Sequence, residues 1–335
     1  SHGVRWNGDS LAEDYQTLAE MLAAAGYDPA AFVALPTMLD RGGLGPGFDT
    51  WVQRGDASGF SLPGPDVVRQ AEQWLENLDG DRPILLWAHL FEAHSPYPVG
   101  PYARQEFHEA GYDGPLAEGA STELFYALGE EIPLTQREQL AVRALYDQQV
   151  VDLDRYVGEL LDLLSRHLMD RARLIVLTAD HGQSLGEHKA VGHGFLLWQT
   201  VLQVPLIIGG DAVDKSGVRA ASPVSLLDLK PTILEAAGID AEETTGGRAL
   251  WPVLAGGRLP SRSLFAEARA LADNVQHDPN DAKSLAVFDG SSKLIWRPDG
   301  YRFHDLSLDP HETAGQQEAV TADHRGMIEM AERFS

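Results

Sequence analysis

Three short runs, ILLWAHL (84–90), RLIVLTA (173–179) and VPLIIGG (204–210), are apolar at almost every position. A strand with one wet face alternates apolar and polar residues, so runs without alternation read as strands buried on both sides. Helical patterns stand between them. TLAEMLAAAGY opens with a capping box, Thr17 with Glu20, and closes on Gly26 as a C-terminal cap; AFVAL (31–35) follows as a strand. PDVVRQAEQWLENLDG is a helix running from Pro65 to a stop at Gly80. The clearest helix runs from Thr135 to about Leu164, again with a capping box, Thr135 with Glu138. On it Tyr146, Val150, Leu153, Val157, Leu160 and Leu164 form one apolar stripe, expected to face the core. Strand and helix in alternation predict an α/β fold, a mostly parallel sheet flanked by helices.

Two segments break that rhythm. Between Pro101 and Pro133 the mixed polarity predicts a long surface excursion. Past Pro260 the pattern becomes short strands, SLFAEAR, LAVFDG, KLIWRP and YRFHDLS, with a closing helix near 320–333. The expected organisation is therefore an α/β domain over 1–260 and a small C-terminal α+β subdomain with an antiparallel sheet over 261–335.

A chain of 335 residues, 44% hydrophobic, can bury a full core. Its formal charge of -24 argues against a nucleic-acid partner, because phosphate backbones are held by clustered Lys and Arg. An acidic protein that handles an anionic ester needs local positive charge, which makes a metal ion a natural expectation. There is no cysteine, so no disulfide forms within these residues. No apolar run is long enough to cross a bilayer.

The chemistry gathers where strands end, which in an open α/β sheet is where ligands bind. RLIVLTA runs directly into Asp180 and His181, within TADHGQSLGEHKAVGHG (178–194), and ILLWAHL runs into FEAHSPY, which carries His94. Asp180 offers hard oxygen and His181 an imidazole nitrogen, and both can turn towards one ion. Equally, Asp180 can cap the following turn and His181 simply be exposed. Two ligands are too few for a metal site, so others must come from elsewhere. His193, flanked by glycines, is a candidate donor to an anionic substrate or a proton shuttle, against the plainer reading of a surface histidine. His188 and Lys189 are assigned to the solvated loop. His94 precedes Pro96, whose ring restrains the backbone, and suits a site better than His89, which lies within the strand and suits the core.

These residues resemble the sulfatase family of the alkaline-phosphatase superfamily along most of the chain. HGVRWNG (2–8), GLGPGFDTW (43–51), LLWAHLFEAHSPY, LYDQQVVDLDRYVGELL, LLDLKPTILEAAGI and FHDLSLDPHE each resemble a family segment, and TADHGQSLGEHKAVGHG followed by VPLII is the most specific. The resemblance implies a sulfuric ester hydrolase with one divalent cation, Ca2+ first and Mn2+ or Mg2+ as alternatives because a histidine ligand is unusual for calcium. It implies that Asp180 and His181 are metal ligands, and that His94 and His193 contact the sulfate or its leaving oxygen. Many relatives carry lysine where His193 stands.

The implied partner is an anionic sulfate-ester small molecule or glycan, and the implied location is periplasmic or secreted. Family members also carry an Asp-Asp pair and a Cys/Ser-x-Pro-Ser-Arg motif, supplying a formylglycine or serine-derived nucleophile, ahead of the segment that HGVR resembles. Neither stands there in this chain, which begins with Ser. A missing N-terminal segment is expected, with no nucleophile, poor metal retention and no turnover for these residues alone. Pro260–Arg262 reads Pro-Ser-Arg, but Arg258 stands at the nucleophile position, and the match is read as coincidence. The rival readings are a phosphate or phosphonate ester hydrolase or transferase of the same superfamily, and a non-catalytic binding relative.

Overall fold

The structure is a computed structural model. It describes residues 10–12, 15–35, 43–53, 62–78, 80–97, 111–128, 134–193, 196–240, 246–269, 283–297, 300–313 and 324–334. HGVRWNG (2–8) lies outside these. The chain forms two compact units, one of residues 1–172 with 233–245, the other of 173–232 with 246–335. The boundary expected at 260 falls inside the second unit.

In the first unit, α1 (Leu18–Ala24) carries the anticipated capping box, with Thr17 and Glu20 each accepting the other's backbone amide. It leads into β1 (Asp28–Val33), which pairs in parallel with β2 (Thr50–Gln53) on one side and β3 (Ile84–His89) on the other. The central strand is therefore β1, whose Ala30, Ala31, Phe32 and Val33 are fully buried, and β3, expected from its apolar run to be buried on both sides, is half-buried throughout. A run apolar on both faces reports burial of both faces and says nothing of how many neighbours its edges have.

Two helices cover one face of this sheet. α2 (Gly64–Glu76) and α4 (Gln136–His167) pack Val67, Val68, Ala71, Leu75, Tyr156, Leu160 and Leu163 against Ala30 and Phe32. Gly64 is required at their contact, since a Cβ there would stand 2.3 Å from the Tyr156 ring. The buried line of α4 runs through Ala141, Leu145, Gln148, Asp152, Tyr156, Leu160 and Leu163. The expected stripe is thus rotated: Leu160 belongs to both, but Val150 is 39% exposed. Polar Gln148, Gln149 and Asp152 lie inside, which apolar periodicity does not register. At its start Thr135 accepts from Glu138 N, the forward half of the predicted capping box.

The expected surface excursion is partly buried. Its described residues hold α3 (Thr122–Ala127) and bury Leu116, Ala120, Phe125 and Leu128, while Tyr97 packs edge-on against Phe125 and Tyr146.

In the second unit β4 (Ile175–Thr178) and β7 (Leu206–Gly209) pair with each other, and they do so antiparallel. Between them stand the short strands β5 (Ser184–Leu185) and β6 (Val191–Gly192) and the single turn α5 (Gln199–Leu202). Then come α6 (Leu229–Ala236), through which the boundary between the units passes, and α7 (Trp251–Leu254).

The chain ends in an antiparallel meander of β8 (Leu264–Arg269), β9 (Lys283–Asp289), β10 (Ser292–Arg297) and β11 (Gly300–Asp305), then α8 (Arg325–Phe334). Strand alternation divides this sheet's faces. Leu285, Val287 and Leu294 meet Met327 and Ala331 of α8; Ala286 and Ile295 meet Leu197 and Trp198, which immediately precede α5.

Candidate active site

Strand β4 ends at Thr178, whose hydroxyl donates to Pro205 O at 2.9 Å and ties that end to the entry of β7. Ala179 and Asp180 follow as the chain leaves extended geometry. Asp180 does act as a local cap, its Oδ1 accepting from His181 N at 3.0 Å, but through one oxygen. Its Oδ2 stands 3.7 Å from His181 Nε2, and the two side chains are 65% and 31% exposed. His181 Nδ1 lies 3.0 Å from Gly182 O. A proton on Nδ1 donates there, which in the neutral ring puts the lone pair on Nε2, beside the carboxylate.

This pair fits a divalent cation. Ligand bonds of about 2.0–2.5 Å at ordinary bond angles hold two ligand atoms roughly 3–4 Å apart. The 3.7 Å between Oδ2 and Nε2 lies within that span. Carboxylate plus imidazole suits manganese, magnesium or calcium in falling order of tolerance for nitrogen.

The next residue is constrained more tightly. Gly182 N donates to Val201 O at 2.7 Å, and a Cβ on Gly182 would stand 2.2 Å from Thr200 O. No other residue fits. Two positions on, fully buried Ser184 shares a hydrogen bond of 2.8 Å with the Thr200 hydroxyl. Backbone and side chain of α5 together therefore form the floor under the Asp180–His181 turn.

Strands β5 and β6 make a hairpin, Ser184 opposite Gly192 and Leu185 opposite Val191. The chain reverses through left-handed backbone at Gly186, His188 and Lys189. The return delivers His193 onto His181, the two rings stacked with centroids 4.0 Å apart. Asp180, His181 and His193 are thus brought together within one unit.

His188 departs from its expected place in the solvated loop. Lys189 is exposed, but the His188 ring stacks on Trp198 at 4.0 Å and its Nε2 is buried without a hydrogen-bond partner. Trp198 in turn takes the edge of His304 at 5.7 Å. Burial pushes the His304 imidazole below its ordinary value, against the opposing pull of Glu312. Nothing in the spacing of His188, Trp198 and His304 along the chain announces this stack.

His94 belongs to the other unit. It follows β3, stacks on Phe91 with ring centroids 4.3 Å apart, and holds its Nδ1 2.5 Å from Ser95 O. The Ser95–Pro96 bond is cis. His89, within β3, is half-buried and ranges with Trp87 and Phe91 in a row of rings. Arg262 of the Pro-Ser-Arg sequence is bound to Asp228, which is fully buried and also accepts from Ser225 N and Arg248 N. That arginine is structural.

The sulfatase family model matches residues 1–239. Arylsulfatase K of Rattus norvegicus is 25% identical over 277 residues, covering 72% of this chain and 47% of that protein. The choline-sulfatase of Rhizobium meliloti (strain 1021) is 28% identical over 270 residues, covering 75% of this chain and 48% of that protein. The chain thus spans about half the length of these curated relatives. Among solved structures, BT4656 in complex with its substrate D-glucosamine-2-N,6-O-disulfate matches with a TM-score of 0.71 at 19% identity, over 99% of this chain and 84% of that one. The phosphonate monoester hydrolase of Agrobacterium radiobacter matches with a TM-score of 0.74 at 20% identity, over 99% and 82%. Likeness at that identity shows a shared alkaline-phosphatase-like α/β fold. With the family model covering well over half of its residues, and Asp180, His181 and His193 gathered at the end of β4, this chain belongs to the sulfatase family.

Proposed function

We propose that the whole protein hydrolyses sulfate esters, with Asp180 and His181 holding a divalent cation and His94 and His193 addressing the substrate. The observation that carries this reading is the Asp180–His181 pair with His193 stacked upon it. Sulfatases generally bind such a cation, and Ca2+ is the proposed occupant, with Mn2+ or Mg2+ as the alternatives that an imidazole ligand leaves open. When bound it supplies positive charge against the sulfate oxygens.

The chain's own residues do the rest. His94 and His193 hold the sulfate while the formylglycine or serine-derived nucleophile that the resemblance implies for the whole protein attacks sulfur. As the bond to the ester oxygen breaks, one histidine gives its ring proton to that oxygen and the alcohol departs, and water then releases the sulfate from the nucleophile. His193 in place of lysine keeps a proton donor at that position. His94 enters this scheme through the family resemblance.

A sulfated small molecule or glycan is the proposed substrate class, and a periplasmic or secreted location accompanies it. No helix among the described residues is long and apolar enough to cross a membrane. The sequence relatives are named for sulfate esters, which favours sulfate over the phosphonate chemistry of the Agrobacterium neighbour. The deciding experiment compares turnover of aryl sulfate with that of aryl phosphate monoesters and diesters by the full-length protein. Preference for sulfate is expected; preference for phosphate by orders of magnitude would overturn the proposal.

A further inference from the structure

The C-terminal sheet buries a charge pair that the reaction scheme does not use. Lys293 on β10 and Glu312 in the segment after β11 form an ion pair with both side chains fully enclosed. Glu312 sits in left-handed backbone, an unfavourable place for a side chain that long. Its second oxygen, Oε2, accepts from Gln199 N at 2.6 Å, and Lys293 Nζ donates to Gln199 Oε1 at 3.3 Å. Both charged groups therefore converge on the first residue of α5. The next residue, Thr200, bonds Ser184 and packs its carbonyl against Gly182; the one after, Val201, accepts the Gly182 amide. Gly182 follows His181 directly.

We propose that Lys293 and Glu312 are positioning residues for the Asp180–His181 turn, acting through Gln199 and α5. This rests on reading that turn as the site. A buried ion pair is a poor source of stability, because desolvation offsets its attraction, and apolar replacements often hold a fold as well or better. Its worth here lies in directing a charged acceptor at one backbone amide, at the helix end where four amides lack intrahelical partners. The pairing reaches across the chain, Lys293 standing 94 positions and Glu312 113 positions after Gln199.

The test is amide hydrogen exchange at Gly182 in the full chain, with melting temperature recorded beside it. Lys293→Met/Glu312→Leu removes the acceptor together with both charges, and is expected to speed Gly182 exchange about tenfold or more while the melting temperature holds. Lys293→Met/Glu312→Gln keeps an acceptor for Gln199 N and is expected to restore protection. Gln199→Pro gives a third arm that leaves the ion pair intact. Proline is tolerated at the first helical position and lacks the amide that Glu312 accepts, and Trp198 before it already has extended backbone. It too is expected to expose Gly182.

Unchanged Gly182 exchange in the Leu variant, or equal loss of protection in the Leu and Gln variants, would overturn the proposal. Exchange is read without turnover, so a protein that fails on aryl sulfate yet loses Gly182 protection as expected would count against the hydrolase reading alone.

Discussion

Asp152 shows how a single side chain can oppose the pattern around it. It is 1% exposed on α4, with Oδ1 buried and unpartnered, and burial first and neighbouring Glu92 second push its carboxyl above the usual value. A carboxyl raised on folding stabilises the protein fully only below its unfolded value of about 3.8, and that contribution is lost as pH rises through the folded value. At pH 7 the fold therefore carries an uncompensated cost. Asp152→Asn removes it, and thermal melts should show the variant more stable at pH 7 by on the order of 1 kcal/mol. The gain should shrink on acidification and vanish below about pH 4. A constant difference across that range would mean that packing, rather than charge, separates the two proteins. The same residue shows why apolar periodicity alone places the stripe on α4 off its buried line: a buried acid gives no apolar signal.

At the scale of elements, the site is a strand end, a turn, a hairpin and one turn of helix held in a fixed order. Gly182 is the narrowest point in that order, 2.2 Å from Thr200 O to a would-be Cβ. Gly182→Ala must push α5 away or move the turn, which separates His181 from His193 and spreads Asp180 from His181. Calorimetric titration of Mn2+ into the full-length variant should show affinity lowered at least tenfold, while the melting temperature falls only modestly, because the disturbance is confined to one turn of chain and one turn of helix. Retained affinity would show that the turn does not depend on α5. Part of this arrangement was legible beforehand. The apolar run before Asp180 marked the strand that delivers it, while the reversal at Gly186, His188 and Lys189 gave no such signal. The stacking of His193 on His181 was not legible, since it depends on a hairpin only two residues long on each side, too short for periodicity to register.

For the whole molecule, the governing quantity is charge. A net formal charge of -24 repels itself in the compact state, and ionic strength screens that repulsion within about 10 Å at 0.1 M salt. Melting temperature should therefore rise between low salt and a few tenths molar sodium chloride, before any specific ion effect. A fall over that range would mean that surface ion pairs such as Arg155–Glu159 and Arg173–Asp211 outweigh the net repulsion. The same excess of acid repels any anionic ester except where cations are placed locally, which is the physical argument behind the proposed metal.

Strand and helix alternation, the capping box at Thr17, the meander past residue 260 and the Asp180–His181 pair were all determined by the sequence, because each depends on residues within a few positions of one another. Tertiary structure alone decided that β1 rather than β3 is the buried centre of its sheet, that β4 and β7 run antiparallel, and that His188 lies against Trp198. It alone brought Lys293 and Glu312 to Gln199. Hydrophobic period reports which faces of an element are dry; it carries no information on which distant segment dries them, and that choice belongs to the packed chain.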